Sequence, residues 1–220
     1  NGVGAPVAQT AVIDWNKGTN ELTYSEDFTE WALEGSASLT SDAITAPSGE
    51  SNASKLIAGA SSARQSIKLA ITKSGDLVYS VYAKKGEYDV IQLTDARDPS
   101  LYANFDLENG VLGNYGVATP SIENIGNGWY RCSISYNSVN TIISVRVAIA
   151  ESATSARLVN FAGNGSDGIY IWGASLEAAT SIGSYVETIG TAQTSPVLLP
   201  QGLTAGRDIT GVNLFENVRK

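Results

Sequence analysis

Short alternating runs, each closed by a turn signal, constrain this chain more than any other feature. Residues 77–84 set Leu77, Tyr79, Val81 and Ala83 on one side and Val78, Ser80, Tyr82 and Lys84 on the other. Residues 142–149 oppose Ile143, Val145, Val147 and Ile149 to Ser144 and Arg146. A period of two is that of a strand with one side in a core. Residues 36–45, 53–58, 63–71, 88–93, 101–107, 121–125 and 129–136 read as further short strands. Residues 22–28 begin the domain, and 182–189 read as one more edge strand. Turn signals stand between the runs: Pro47-Ser48-Gly49, Lys73 to Asp76, Glu108-Asn109-Gly110 and Gly126-Asn127-Gly128. No segment sustains a helical period. Strands and turns at this spacing predict an all-β chain, a sandwich or jelly roll.

DGIYIWGASLE, residues 167–177, reads as the closing strand. Apolar groups occupy both parities of this run. That is expected of a strand buried on both faces, or of one that shifts register at a glycine bulge.

Composition narrows the function by what it lacks. The net charge of −8 supplies no basic stripe for phosphate, which argues against a nucleic-acid partner. There is no histidine, so no Ser-His-Asp triad, Cys-His pair or His-ligated zinc can be built. The single cysteine, Cys132, lies in an apolar strand and reads as a core thiol. No membrane span is expected, because no apolar run is long enough. The chain begins at Asn1 and contains no Met, the pattern of a processed product or an excised fragment. Residues 1–19 and 191–220 carry Gly and Pro and little periodicity, and are expected to form arms around a sandwich spanning 20–190. Val12, Ile13, Trp15, Leu198, Leu199, Leu214 and Phe215 would then meet other chains.

Five segments occur in an order that resembles a known module: NELTYSEDFTEW (20–31), VYSVYAKKGEY (78–88), FDLENGVLG (105–113), GNGWYRCSISY (126–136) and DGIYIWGASLE (167–177). The module is a domain of tailed-bacteriophage structural proteins, found in tail fibres and other virion appendages, and is similar to carbohydrate-binding-module jelly rolls. NGWYR and DGIYIWGASLE are its most specific pieces. The resemblance implies a jelly roll and a place in the virion. It also implies other virion subunits as partners, homo-oligomerisation with a trimer favoured, and contact with cell-surface polysaccharide. It carries over no defined sugar. Accessory carbohydrate-binding module of a secreted polysaccharide-degrading enzyme, and purely structural adaptor binding only protein, are the alternatives.

Strand parity nominates a binding face, the polar side of one sheet expected from residues 78–84, 88–93, 129–136 and 142–149. With Val81, Ile91, Cys132, Ile134, Val145 and Val147 in the core, Tyr82, Gln92, Trp129, Arg131, Ser133 and Arg146 point the other way, and Tyr88 shares the parity of Gln92. An aromatic ring among Arg, Gln and Ser suits a sugar, whose C–H face stacks on the ring while planar polar groups bond its hydroxyls. The bland alternative is rings packed at a sheet edge and solvated arginines. In that case Tyr88, Arg97 and Tyr102 on loops are the next candidates. Asp167, in the turn 164–168, is a candidate ligand for a structural calcium, although calcium takes six to eight oxygens. The carboxylates Glu26-Asp27, Asp95/Asp98 and Glu108 are candidates for glycoside hydrolysis by residue type alone; the expectation is no catalysis.

Overall fold

The computed structural model describes residues 18–194, which fall within one compact unit. The expected arm contacts lie outside the described residues, apart from the short stretches nearest the domain. Fourteen strands run β1 (Thr19–Asn20), β2 (Ala32–Gly35), β3 (Ser38–Ile44), β4 (Ala53–Ile57), β5 (Gln65–Thr72), β6 (Gly75–Lys84) and β7 (Val90–Asp95). They continue β8 (Tyr102–Asp106), β9 (Val111–Tyr115), β10 (Thr119–Gly126), β11 (Trp129–Ser138), β12 (Ile142–Ala150), β13 (Gly168–Glu177) and β14 (Gln193–Thr194).

Two six-stranded antiparallel sheets form a β-sandwich. One, the β13 sheet, runs β10-β11-β6-β13-β4-β3; the other, the β12 sheet, runs β2-β5-β12-β7-β8-β9. The chain crosses between them at β2 to β3, β4 to β5, β5 to β6, β6 to β7, β9 to β10, β11 to β12 and β12 to β13. The alternation read from the sequence sends Tyr79, Val81, Ile91, Leu93, Ile134, Val145 and Val147 into a shared core where each is fully buried. Each such aliphatic side chain contributes roughly 1.5–3 kcal/mol by leaving water.

Two glycines shape the β13 sheet where no other residue fits well. Asn127 and Gly128 both take positive φ, 53° and 77°, and make the two-residue turn joining β10 to β11. Gly173, at φ 58°, sits where β13 shifts register against β6 between Trp172 and Ser175. A Cβ there would lie 2.9 Å from the Tyr82 ring. The shift explains the apolar groups on both parities of β13: Ile169 and Ile171 face the core before it, Ala174 and Leu176 after it.

Residues 182–189, read as an edge strand, are not a strand, and the segment that begins the domain is irregular as well. Residues 22–28 give a 3-10 turn at Phe28–Glu30 and a lone bridge from Tyr24 to Ile189. Residues 182–189 make that same bridge and otherwise run as irregular chain. The four strands expected to form one sheet are also divided. β6 and β11 lie in one sheet, β7 and β12 in the other.

Candidate functional site

On the outer face of the β13 sheet, register sets Arg131 opposite Tyr82 and Tyr82 opposite Trp172. The rings of Tyr82 and Trp172 meet edge-on at 5.2 Å, and Tyr185 packs on both, at 5.8 Å and 4.8 Å. Arg131 lies over the Tyr82 ring at 5.3 Å and donates from Nη1 to the Gly183 carbonyl at 2.7 Å. Glu177 accepts from the Gly183 N–H and approaches Arg131 at 3.8 Å. Further along, Asn20 donates to the Val186 carbonyl, and the Tyr185 hydroxyl donates to Glu26. Residues 178–190 therefore lie as a strap across this face.

Parity places Tyr82, Trp129 and Arg131 on the outer face as expected, but that face is not open. Tyr82 is 9% exposed, Trp129 3% and Arg131 7%. The strap has no periodicity, so nothing in its sequence announces that it covers the rings. Burial raises the Glu177 carboxyl above its ordinary value, an effect the Gly183 N–H and Arg131 oppose.

The outer face of the β12 sheet is roofed in the same way by residues 151–161. Gln92 accepts from the Leu158 N–H at 2.8 Å and donates to Asn104 at 2.6 Å and to the Ala156 carbonyl. Asn104 donates to the carbonyls of Ala153 and Ser155. Arg157 reaches down from the strap to the Thr94 hydroxyl and the Asp95 carbonyl. Arg146 pairs with Glu34 at 2.6 Å. Gln92 is 1% exposed and Arg146 2%.

Gln92 and Arg146 thus stand on the opposite side of the sandwich from Tyr82, Trp129 and Arg131, and the six ring, amide and guanidinium residues do not form one site. Tyr88 is half-buried before β7 and packs on Phe161 at 5.7 Å. Arg97 and Tyr102 lie at the other end of β7, since Tyr102 pairs with Thr94 and the Asp89 carbonyl bonds Leu107. The fallback residues are likewise not gathered together.

Two grooves open to solvent. One, of about 360 Å³, is lined by Glu26, Asp27, Ser41, Asp42, Asn52 and Ser54. The other, of about 370 Å³, is lined by Glu34, Gly35, Ser62, Ala63, Arg64 and Asn160. Neither was read from the sequence, because each joins residues from three or more distant segments. Trp172 had a legible signal, the outward parity of β13; Tyr185 had none.

The carboxylates considered for catalysis are bonded within the chain. Glu26, whose carboxyl burial pushes up, accepts from Tyr185 and from Asn52 at 2.7 Å. Asp27 caps the 3-10 turn through Thr29. Asp95 accepts from the backbone of Arg97 and Ser144, Asp98 caps Ser100, and Glu108 pairs with Lys85.

Around Asp167, Asn164 Oδ1 accepts from Ser166 Oγ and from the backbone of Ser166 and Asp167, an ordinary Asx turn. Among the described residues no group of three or more His, Cys, Asp or Glu is placed to hold a metal. Nor is any helix among them long and apolar enough to cross a membrane.

In comparisons with known proteins, no family model and no curated protein matches the chain.

Proposed function

We propose that the protein is a non-enzymatic component of a tailed-bacteriophage virion, a tail fibre, appendage or decoration protein. Its jelly roll serves attachment to host-surface glycan, structural assembly, or both. The order in which strands cross between the sheets supports the jelly roll: β4-β13-β6-β11 in one layer oppose β5-β12-β7-β8 in the other. The segments that carry the resemblance supply the β10–β11 turn and the central strand β13.

The observation that carries the attachment reading is the chemistry of the two open grooves. Carboxylate, amide, hydroxyl and guanidinium groups line them, the set that bonds sugar hydroxyls. The non-enzymatic reading rests on the absence of histidine and on the internal partners of the buried carboxylates. Affinity electrophoresis through host-derived polysaccharides tests attachment, with retardation as the expected result. Incubation with the same polysaccharides should release no new reducing ends; turnover abolished by a single Asp or Glu replacement would overturn the reading.

One observation favours the purely structural adaptor as a second reading. The edge strands β9 and β10 and their connection expose Val111, Leu112, Tyr115, Val117 and Ile125, an apolar rim of the kind that meets protein. Absence of retardation on every polysaccharide, together with a symmetric oligomer in light scattering, is the result that reading predicts.

A further inference from the structure

Four cations gather on the outer face of the β12 sheet, toward β2. Register sets Arg146 between Lys68 on β5 and Thr94 on β7. Arg157 bonds that same Thr94 from the strap, which brings its guanidinium beside Arg146. Arg64 precedes Gln65, the partner of Gly35 across the β2–β5 pair, and so stands next to Glu34. In a chain of net charge −8 this is a local excess of positive charge.

Among the described residues, Glu34 is the only carboxylate bonded to any of the four, at 2.6 Å to Lys68 and 2.6 Å to Arg146. Arg157 donates only to neutral oxygens, those of Thr94 and the Asp95 main chain. Asp95 and Asp98 act on this cluster from a distance, and the Asp95 carboxylate accepts from the Ser144 and Arg97 N–H groups. Arg64 is exposed, and among the described residues its side chain has no hydrogen bond or ion pair. Arg146 is 2% exposed, and its Nε has no hydrogen-bond partner. Burial lowers the proton affinity of Arg146, and the charges of Arg64 and Arg157 act in the same direction. Unbalanced guanidinium groups held this close repel one another, and a bound anion relieves that repulsion.

We propose that the groove of about 370 Å³ beside Arg64 binds the carboxylate of an acidic saccharide. Arg64 makes the direct contact, and the guanidinium groups of Arg146 and Arg157 supply the field behind it. The planar fork of arginine matches a carboxylate in two parallel bonds. Ser62 and Asn160 are exposed, make no side-chain hydrogen bond among the described residues, and present groups that bond ring hydroxyls. Glu34, already neutralised by two cations, completes the wall. This inference rests on the attachment reading and names the class of glycan.

The test is calorimetric titration of the full chain at low ionic strength with three probes: a galacturonate oligosaccharide, a neutral galactose oligosaccharide of equal length, and acetate. The expected result is that the acidic oligosaccharide binds best, that added salt weakens it, and that Arg64→Ala weakens it about tenfold or more. Arg64→Glu should abolish binding. Because Arg64 is exposed, both variants should keep the parent melting temperature. Equal binding of the acidic and neutral oligosaccharides would overturn the anionic site while leaving the attachment reading standing. Acetate binding as tightly as the acidic oligosaccharide, with the same Arg64 dependence, would uphold the anion site and overturn its saccharide assignment. Failure of all three probes, or an unchanged affinity in Arg64→Ala, would overturn the site itself.

Discussion

Arg131 on β11 donates to the main-chain carbonyl of Gly183, 52 residues later in the sequence, at 2.7 Å. That bond, the Glu177 bonds to the Gly183 N–H and the Tyr185 ring hold the strap 178–190 against the sheet. Removing the guanidinium leaves Glu177, 2% exposed, without its cationic neighbour. Arg131→Ala should therefore cost about 3 kcal/mol at neutral pH, the scale for breaking a buried charge pair.

That deficit should depend on pH in a definite direction. Glu177 already titrates above the ordinary carboxylate value because burial disfavours its charge. Loss of Arg131 raises it further. The folded variant then holds the proton more tightly than the unfolded chain, so stability is gained as pH falls through that raised value. Urea unfolding at pH 7 and near pH 5 should show a smaller deficit at the lower pH. A deficit that grows on acidification contradicts the pairing.

Gln92 holds the other strap. It bonds Asn104 and the main chain of Ala156 and Leu158, and Leu158 is kept at φ 50°, a conformation Leu seldom adopts. Gln92→Ala takes away the acceptor of the Leu158 N–H and the donor to Asn104 Oδ1, and should cost about 2–3 kcal/mol. Hydrogen exchange should quicken first in residues 153–158. Uniform quickening across the sandwich would mean that the loop is not held by this side chain.

Glu34 should make the fold sensitive to acid. Burial alone would raise its carboxyl, but the hydrogen bond from Lys68 and the charge of Arg146 outweigh that and hold it below the ordinary carboxylate value. Its contribution is present above that ordinary value and is lost as pH falls through the lowered folded value. Glu34→Gln should flatten the loss of denaturant midpoint between pH 5 and pH 3. An unchanged slope excludes Glu34 as its source.

Gly173→Ala is the backbone counterpart. Its φ of 58° disfavours any Cβ, and the added atom would meet the Tyr82 ring at 2.9 Å. Left-handed strain and overpacking together should cost about 3 kcal/mol. Wild-type stability in that variant would show that the register shift on β13 does not depend on glycine.

Local pattern carried much of this fold. The alternation in β6 and β12 reported correctly which side chains face the core, because a period of two is a local property. The partition of β6, β7, β11 and β12 between two sheets was not legible, since it depends on crossings far apart in sequence. Parity likewise put Tyr82 and Arg131 on an outer face but could not say what lies over it. The groups that cover it, Gly183 and Tyr185, sit in chain without period, and main-chain carbonyls take amide and guanidinium donors as readily as a sugar does. Residues 182–189 resembled a strand in composition, yet their polar main chain is satisfied by Arg131, Asn20 and Ser25 rather than by a ladder. Arg64 gave no signal, because an arginine at the start of a strand differs from a solvated one only through its distant neighbours.

The self-roofed sandwich is tested most directly by the melting temperature of Tyr82→Ala and Trp129→Ala. Both rings are buried, and the loss of either should cost about 3 kcal/mol or more. In a domain of this size that is a drop of roughly 6–12 °C. Melting temperatures unchanged from the parent, with polysaccharide binding weakened in the same variants, would contradict the account and make this face an open glycan platform.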